Sequence, residues 1–240
     1  NRTRRRGRSP APGNDEIHPR RRTAQAILLA ARFLHAAGND TAKSREEYSL
    51  GTHLILSDGE SSRIFPEFLE DRLSQQVVQP CNRGTAPAIV SSLLEVARRD
   101  PDPDAVVAVL PSDHFISNQR SFTRSIEHAF AMATSQPESI VILSVPLNKF
   151  EPGYGWIEPG SEVGGSDEAF RVKEFQEKPS SETAEALLRR GALVNTFVMV
   201  GRVHTFLDMV AETSPGLLRA FLLEQESGGG ILKPEALERI

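Results

Sequence analysis

Apolar residues change their spacing several times along this chain, and each change marks an expected element. Thr23 to Ala37 is rich in Ala and Leu and reads as a helix with a buried face, ended by Gly38-Asn39. His53 to Ser57 (HLILS) reads as a short strand closed by Asp58-Gly59, and Gln76 to Gln79 as another that stops at Pro80. From Thr85 the period becomes helical: Ile89, Val90, Leu93, Leu94 and Ala97 share one face of a helix running to Arg99. Asp100-Pro101-Asp102-Pro103-Asp104 forces a turn, because each proline restricts both itself and its predecessor. Ala105 to Leu110 (AVVAVL) and Ile140 to Val145 (IVILSV) are continuous apolar runs, the pattern of strands buried on both faces, with a helix expected between them over Phe122 to Ala133. After Pro146, Gly153, Gly155, Gly160, Gly164 and Gly165 announce hairpins or loops. Strands are then expected at Phe170 to Phe175 and Thr196 to Val200, and helices at Glu182 to Arg190, Val203 to Glu212 and Gly216 to Glu224. Buried strands alternating with helices predict an α/β fold whose sheet is mostly parallel and covered on both faces.

Composition narrows the picture. A chain of 240 residues, 39% hydrophobic and 25% charged, has the make-up of a soluble globular domain, and no apolar run approaches the roughly 20 residues of a membrane-spanning helix. The single Cys81 excludes an internal disulfide, which favours a cytoplasmic location. Residues 1–22 hold eight Arg against Asp15 and Glu16, a balance of +6, so residues 23–240 carry −10 within the net −4. Rich in Arg, Pro and Gly, residues 1–22 read as an unstructured tail, with 23–240 as one partial domain. The opening Asn1 in place of Met points to a fragment or a processed end.

Five segments carry candidate chemistry. Asp113 follows the strand ending at Leu110, where a carboxylate can hold a hard divalent cation or simply cap the next turn. Gly84-Thr85-Ala86-Pro87 opens a helix whose first amides can bind a ligand; equally, Thr85 reads as an N-cap with Pro87 in the first turn. Gly155, in Tyr154-Gly155-Trp156-Ile157-Glu158, permits close backbone approach, while Trp156 reads equally as a core anchor. Glu177-Lys178-Pro179 closes a strand with a paired carboxylate and ammonium, and Asn195 offers both a donor and an acceptor.

In this order and spacing, Thr85-Ala86-Pro87-Ala88-Ile89, Pro111-Ser112-Asp113-His114, Tyr154-Gly155-Trp156 and Phe175-Gln176-Glu177-Lys178-Pro179 resemble the sugar-phosphate nucleotidyltransferases, and most closely the mannose-1-phosphate guanylyltransferases of GDP-mannose biosynthesis. The resemblance covers roughly Leu54 to Leu218. It implies a Rossmann-like, three-layer GT-A-like domain with a mostly parallel mixed sheet. It further implies Mg²⁺ on Asp113, a structural His114 hydrogen-bonded in the crevice, and a nucleotide against Gly84, Thr85, Ala86 and Pro87. The sugar would meet Gly155, Glu177 and Asn195, and Lys178 would serve as a cation for the sugar phosphate. Val194 and Thr196 stand where the family's Trp-Asn-Ser segment has Trp and Ser.

The implied reaction joins GTP to mannose-1-phosphate and releases pyrophosphate. The sugar phosphate is already a dianion near neutral pH, its second pKa being about 6, so no general base is required. The obstacle is repulsion, roughly 4 kcal/mol for unit charges about 4 Å apart at an effective dielectric near 20. Mg²⁺ on Asp113 and the ammonium of Lys178 are the expected counters, both acting as catalytic groups. The family's glycine-rich triphosphate loop and its preceding strand find no counterpart here; Gly7-Arg8-Ser9-Pro10 and Pro19-Arg20-Arg21 supply charge alone. Its second metal-binding carboxylate would fall beyond Ile240. The expectation is therefore a truncated or degenerate member, and the alternative a non-catalytic homologue that binds a sugar phosphate or nucleotide-sugar. Partners are then small molecules, with no membrane, nucleic acid disfavoured despite the basic tail, and a homo-oligomer left open. A dinucleotide-dependent oxidoreductase is disfavoured too, for want of Gly-x-Gly-x-x-Gly after a strand.

Overall fold

The computed structural model describes residues 27–32, 53–58, 74–79, 84–99, 102, 104–111, 114–149, 151–164 and 166–226. The Arg-rich segment 1–22, the residues 227–240 and Asp113 lie outside the described residues.

Helix α1, Thr85–Arg99, has the limits its apolar spacing predicts. Strand β4, Val106–Pro111, lies at the centre of the fold because it is apolar at every position, so each face can be covered. Val107 and Val109 pack with Leu93 and Val96 of α1 and with Val203 and Phe206 of α4 (Val203–Thr213). Val106 and Ala108 face the other way, onto Ala129, Phe130 and Ala133 of α2 (Gln119–Ser135). Helix–sheet–helix layering follows directly from this alternation. Helix α5, Pro215–Glu226, adds Leu217 and Phe221 to a satellite cluster with Val90, Leu94 and Val210.

Among the described residues eight strands form one sheet. Strand β1, Ile27–Arg32, lies between β2 (His53–Asp58) and β4 and is antiparallel to both. The expected helix over residues 23–37 is thus corrected: its central ILLAAR is a strand. Helix propensity from Ala and Leu is a preference of tenths of a kcal/mol per residue, which two flanking ladders override. Strand β3, Ser74–Gln79, is parallel to β2. Strand β8, Leu193–Arg202, is antiparallel to β4, to β5 (Val141–Val145) and to β6 (Gly155–Val163), and β6 forms an antiparallel hairpin with β7 (Ser166–Glu177).

The expected mostly parallel sheet is corrected as well: among the described residues β2–β3 is the one parallel ladder. Strands β2, β3, β4 and β5 do share a direction, but β1 inserts between β2 and β4, and β8 between β4 and β5. Among the described residues strand β5 pairs only with β8, and it is half-buried, not covered on both faces as its apolar run suggests. Helix α3, Ser181–Arg189, is capped by Ser180, whose Oγ accepts from the Thr183 amide at 3.2 Å. Its Ala184 and Leu187 pack on Trp156 and Val194, fixing the hairpin to the domain.

Candidate functional site

Strand β8 is flanked on one side by β5 and on the other by β4 and then β6. The β4 ladder ends at the pair Val109–Met199, and the β6 ladder begins at Trp156–Val194. On that flank residues 195–198 of β8 have no ladder partner among the described residues. The sheet opens there, at the carboxyl end of β4, which is where open α/β sheets place ligands.

Side chains and backbone hold this opening in an unusual shape. Phe197 has φ +62°, a left-handed conformation that costs a residue with a Cβ about 1–2 kcal/mol. Three bonds stabilise it. The Asn195 Oδ1 accepts from the Phe197 amide at 2.8 Å, Thr196 donates its hydroxyl to the Leu143 carbonyl of β5 at 2.6 Å, and the Val198 amide donates to Thr196 Oγ1 at 3.3 Å. A register shift between Leu143 and Ser144 accommodates the extra β8 residues. Asn195 therefore spends its acceptor on the backbone, and its Nδ2 is the atom left to meet a ligand.

Across the opening, Gly155 starts β6 and pairs with Glu177 at the end of β7. A Cβ on Gly155 would come 2.8 Å from Glu177 Oε2 and 2.8 Å from Phe175 Cζ, so glycine is what lets this carboxylate and ring lie against the strand. Lys178 follows with φ +43° and donates its amide to the Tyr154 carbonyl at 3.1 Å. Its Nζ is 3.6 Å from Glu177 Oε1, and both side chains are exposed. Among the described residues Lys178 and Phe197 are the two non-glycine positions with positive φ, and both border the opening. Backbone strain concentrated this way is characteristic of ligand sites.

Gly84 (φ +92°) and Thr85 begin α1, and their place follows from strand direction: β3, which leads into α1, runs with β4 and ends on the same sheet edge. Thr85 is itself the first helical residue, so the N-cap reading is corrected; Ala86 is exposed and Pro87 half-buried in the first turn. The sequence-predicted residues thus fall into a cluster of Gly155, Glu177, Lys178 and Asn195, with Gly84 to Pro87 on the same rim. Asp113 lies outside the described residues, two positions after Pro111 ends β4. His114 is exposed, without the expected hydrogen bond among the described residues, because it stands in the loop that leaves the sheet. Trp156 is a core anchor: it is fully buried and donates its indole N–H to the Glu151 carbonyl at 2.9 Å.

The structure adds residues that the sequence did not single out. Glu158, further along β6 from Gly155, is hydrogen-bonded by Lys173 and ion-paired with Arg190 at 3.1 Å. Lys173, with Arg190 beside it, holds the Glu158 carboxyl below the usual carboxylate range. Phe175 borders the opening; it is the first residue of its motif but was assigned no role there, although it stands two residues before Glu177 and so on the same face of a strand.

A family model described as nucleotidyl transferase matches residues 52–215, more than half of the chain. The chain belongs to the nucleotidyl transferase family. Curated relatives agree: the chain is similar to mannose-1-phosphate guanylyltransferase of Escherichia coli K12, 30% identical over 154 residues, which is 62% of this chain and 32% of that protein. It is also 30% identical over 204 residues to mannose-1-phosphate guanylyltransferase 2 of Escherichia coli O157:H7, covering 79% of this chain and 42% of the relative. The chain thus spans less than half the length of these relatives. Among solved structures, mannose-1-phosphate geranyltransferase from Thermus thermophilus superposes with a TM-score of 0.64 at 22% identity, over 73% of this chain and 49% of that one. Mannose-6-phosphate isomerase from Helicobacter pylori gives 0.58 at 26% identity, over 70% of this chain and 64% of the other. The fold is that of a nucleotidyl transferase, and among the described residues no helix is long and apolar enough to cross a membrane.

Proposed function

We propose that this nucleotidyl transferase joins a nucleoside triphosphate, GTP, to a sugar-1-phosphate, mannose-1-phosphate, with release of pyrophosphate. The observation that carries the reading is the gathering of Gly155, Glu177, Lys178 and Asn195 around the sheet opening at the carboxyl end of β4. A phosphate dianion needs a cation, and Lys178 supplies one from a turn whose backbone is held at φ +43°. The Glu177 carboxylate accepts from sugar hydroxyls, and the Asn195 amide nitrogen donates to one. Gly84 to Pro87 supply backbone at the opposite side of the rim for the nucleotide. The chemistry asked of the chain is placement and charge neutralisation, because the attacking phosphate oxygen carries no proton to remove.

Mg²⁺ on Asp113 belongs to this proposal. Among the described residues no three His, Cys, Asp or Glu side chains make a cation site. When bound it would supply positive charge to the polyphosphate.

The test is pyrophosphate release from GTP and mannose-1-phosphate by the purified full chain with Mg²⁺, beside Lys178→Met. Turnover that falls at least a hundredfold in the variant is the expected result. Equal turnover in the two proteins would refute the role of Lys178. Binding of mannose-1-phosphate by calorimetry without any turnover would assign the non-catalytic alternative.

A further inference from the structure

We infer that Phe175 is a stacking platform for the pyranose ring, a sugar-recognition residue beyond Glu177, Lys178 and Asn195; the inference rests on the proposed sugar-phosphate reading. Phe175 is 45% exposed, although apolar rings of this size ordinarily find cover in a domain with a core. Its exposed position is not a loose one. The ring edge lies against the bare backbone of Gly155, with Cζ and Cε2 at 2.8 and 2.9 Å from where a Cβ would stand. Glu177 Oε2 lies 2.8 Å from the same point, so carboxylate and ring are immediate neighbours on one face of the hairpin. Lys178 follows directly, and Tyr154, whose carbonyl holds the Lys178 turn, is 51% exposed.

A phosphorylated pyranose presents three kinds of surface: a face of C–H bonds, an edge of hydroxyls and a dianion. An aromatic face, a carboxylate and an ammonium in consecutive order match them one for one. Phosphate and hydroxyls alone would be bound equally well by an open chain polyol phosphate. The ring adds selection for a cyclic sugar with an apolar face. Phe170, the other exposed phenylalanine of β7, lies five positions from Phe175 on the same strand, roughly 17 Å away at strand spacing, and serves as a control.

The experiment titrates the full chain and its variants with mannose-1-phosphate and, separately, inorganic phosphate, by calorimetry or ligand-observed NMR. Phe175→Ala is expected to weaken mannose-1-phosphate about 3- to 10-fold while leaving phosphate affinity unchanged. Phe175→Tyr, which keeps a ring face, should bind as the parent does, and so should Phe170→Ala. Parent affinity for mannose-1-phosphate in Phe175→Ala overturns the stacking role and leaves the functional reading standing. An equal loss for phosphate and sugar phosphate also overturns it, since the defect would then be general. A parent chain that binds neither ligand overturns the functional reading and this inference with it.

Discussion

Replacing Phe197 separately by Ala and by Gly isolates the conformational cost of the β8 kink. Both variants lose the same contacts with the cluster built on Val107, Val109 and Phe206, so packing cancels when the two are compared. In an ordinary strand Gly is less stable than Ala by about 0.5–1 kcal/mol, because it gives up more freedom on folding. At φ +62° Ala keeps the left-handed penalty of about 1–2 kcal/mol and Gly does not. The order should therefore invert, with Phe197→Gly more stable than Phe197→Ala by about 0.5–1 kcal/mol. Urea unfolding read by fluorescence of the single Trp156 gives both values from midpoints at a common slope. Trp156 is fully buried, so its emission should shift to the red on unfolding. A Phe197→Ala variant as stable as Phe197→Gly, or more so, would refute the kink and with it the shape of the sheet opening.

Other outcomes test the neighbouring groups. Gly155→Ala should displace the Phe175 ring and the Glu177 carboxylate at a stability cost of about 1 kcal/mol, yet weaken mannose-1-phosphate at least tenfold; unchanged affinity by calorimetry would contradict the packing at Gly155. Asn195→Ala removes the acceptor for the Phe197 amide and should cost about 1 kcal/mol in urea unfolding, whereas a silent change would mean the bond is not formed. Glu158 has a folded pKa lowered by Lys173 and Arg190, so its ion pairs stabilise the fold above roughly pH 4.3 and are lost as pH falls through the lowered value. Glu158→Gln should accordingly show a smaller drop in urea midpoint between pH 7 and pH 3 than the parent, while Glu95, held low by Arg98 and Arg99, keeps titrating in both proteins; identical drops would count against the ion pair.

Particular residues show how far the sequence reaches. Helix α1 was legible because Pro87 in the first turn and the apolar positions from Ile89 to Leu94 are local signals that agree with one another, even though Thr85 is helical and not the cap. Strand β4 was legible for the same reason, as six consecutive positions are apolar or end in proline. Ile27–Arg32 misled, since Ala and Leu express a helix preference that only its neighbours in the sheet could overrule. Four of the candidate residues, Gly155, Glu177, Lys178 and Asn195, could be given roles from their motifs; Phe175 stands in one of those motifs, but the place of its ring could not be read there, because its partner is a missing Cβ on another strand.

Apart from Ile27–Arg32, local chemistry in the chain decided which described segments are helices, which are strands, and which side chains carry charge to the rim. Tertiary structure alone decided that β1 and β8 separate strands of common direction, that β5 lies half-buried at an edge, and that β8 bends at Phe197 where two ladders part. The reason is physical. Spacing within a segment reports its own periodicity, whereas ladder partners, and the opening they leave, depend on contacts between residues far apart in sequence, such as Gly155 with Glu177 and Thr196 with Leu143.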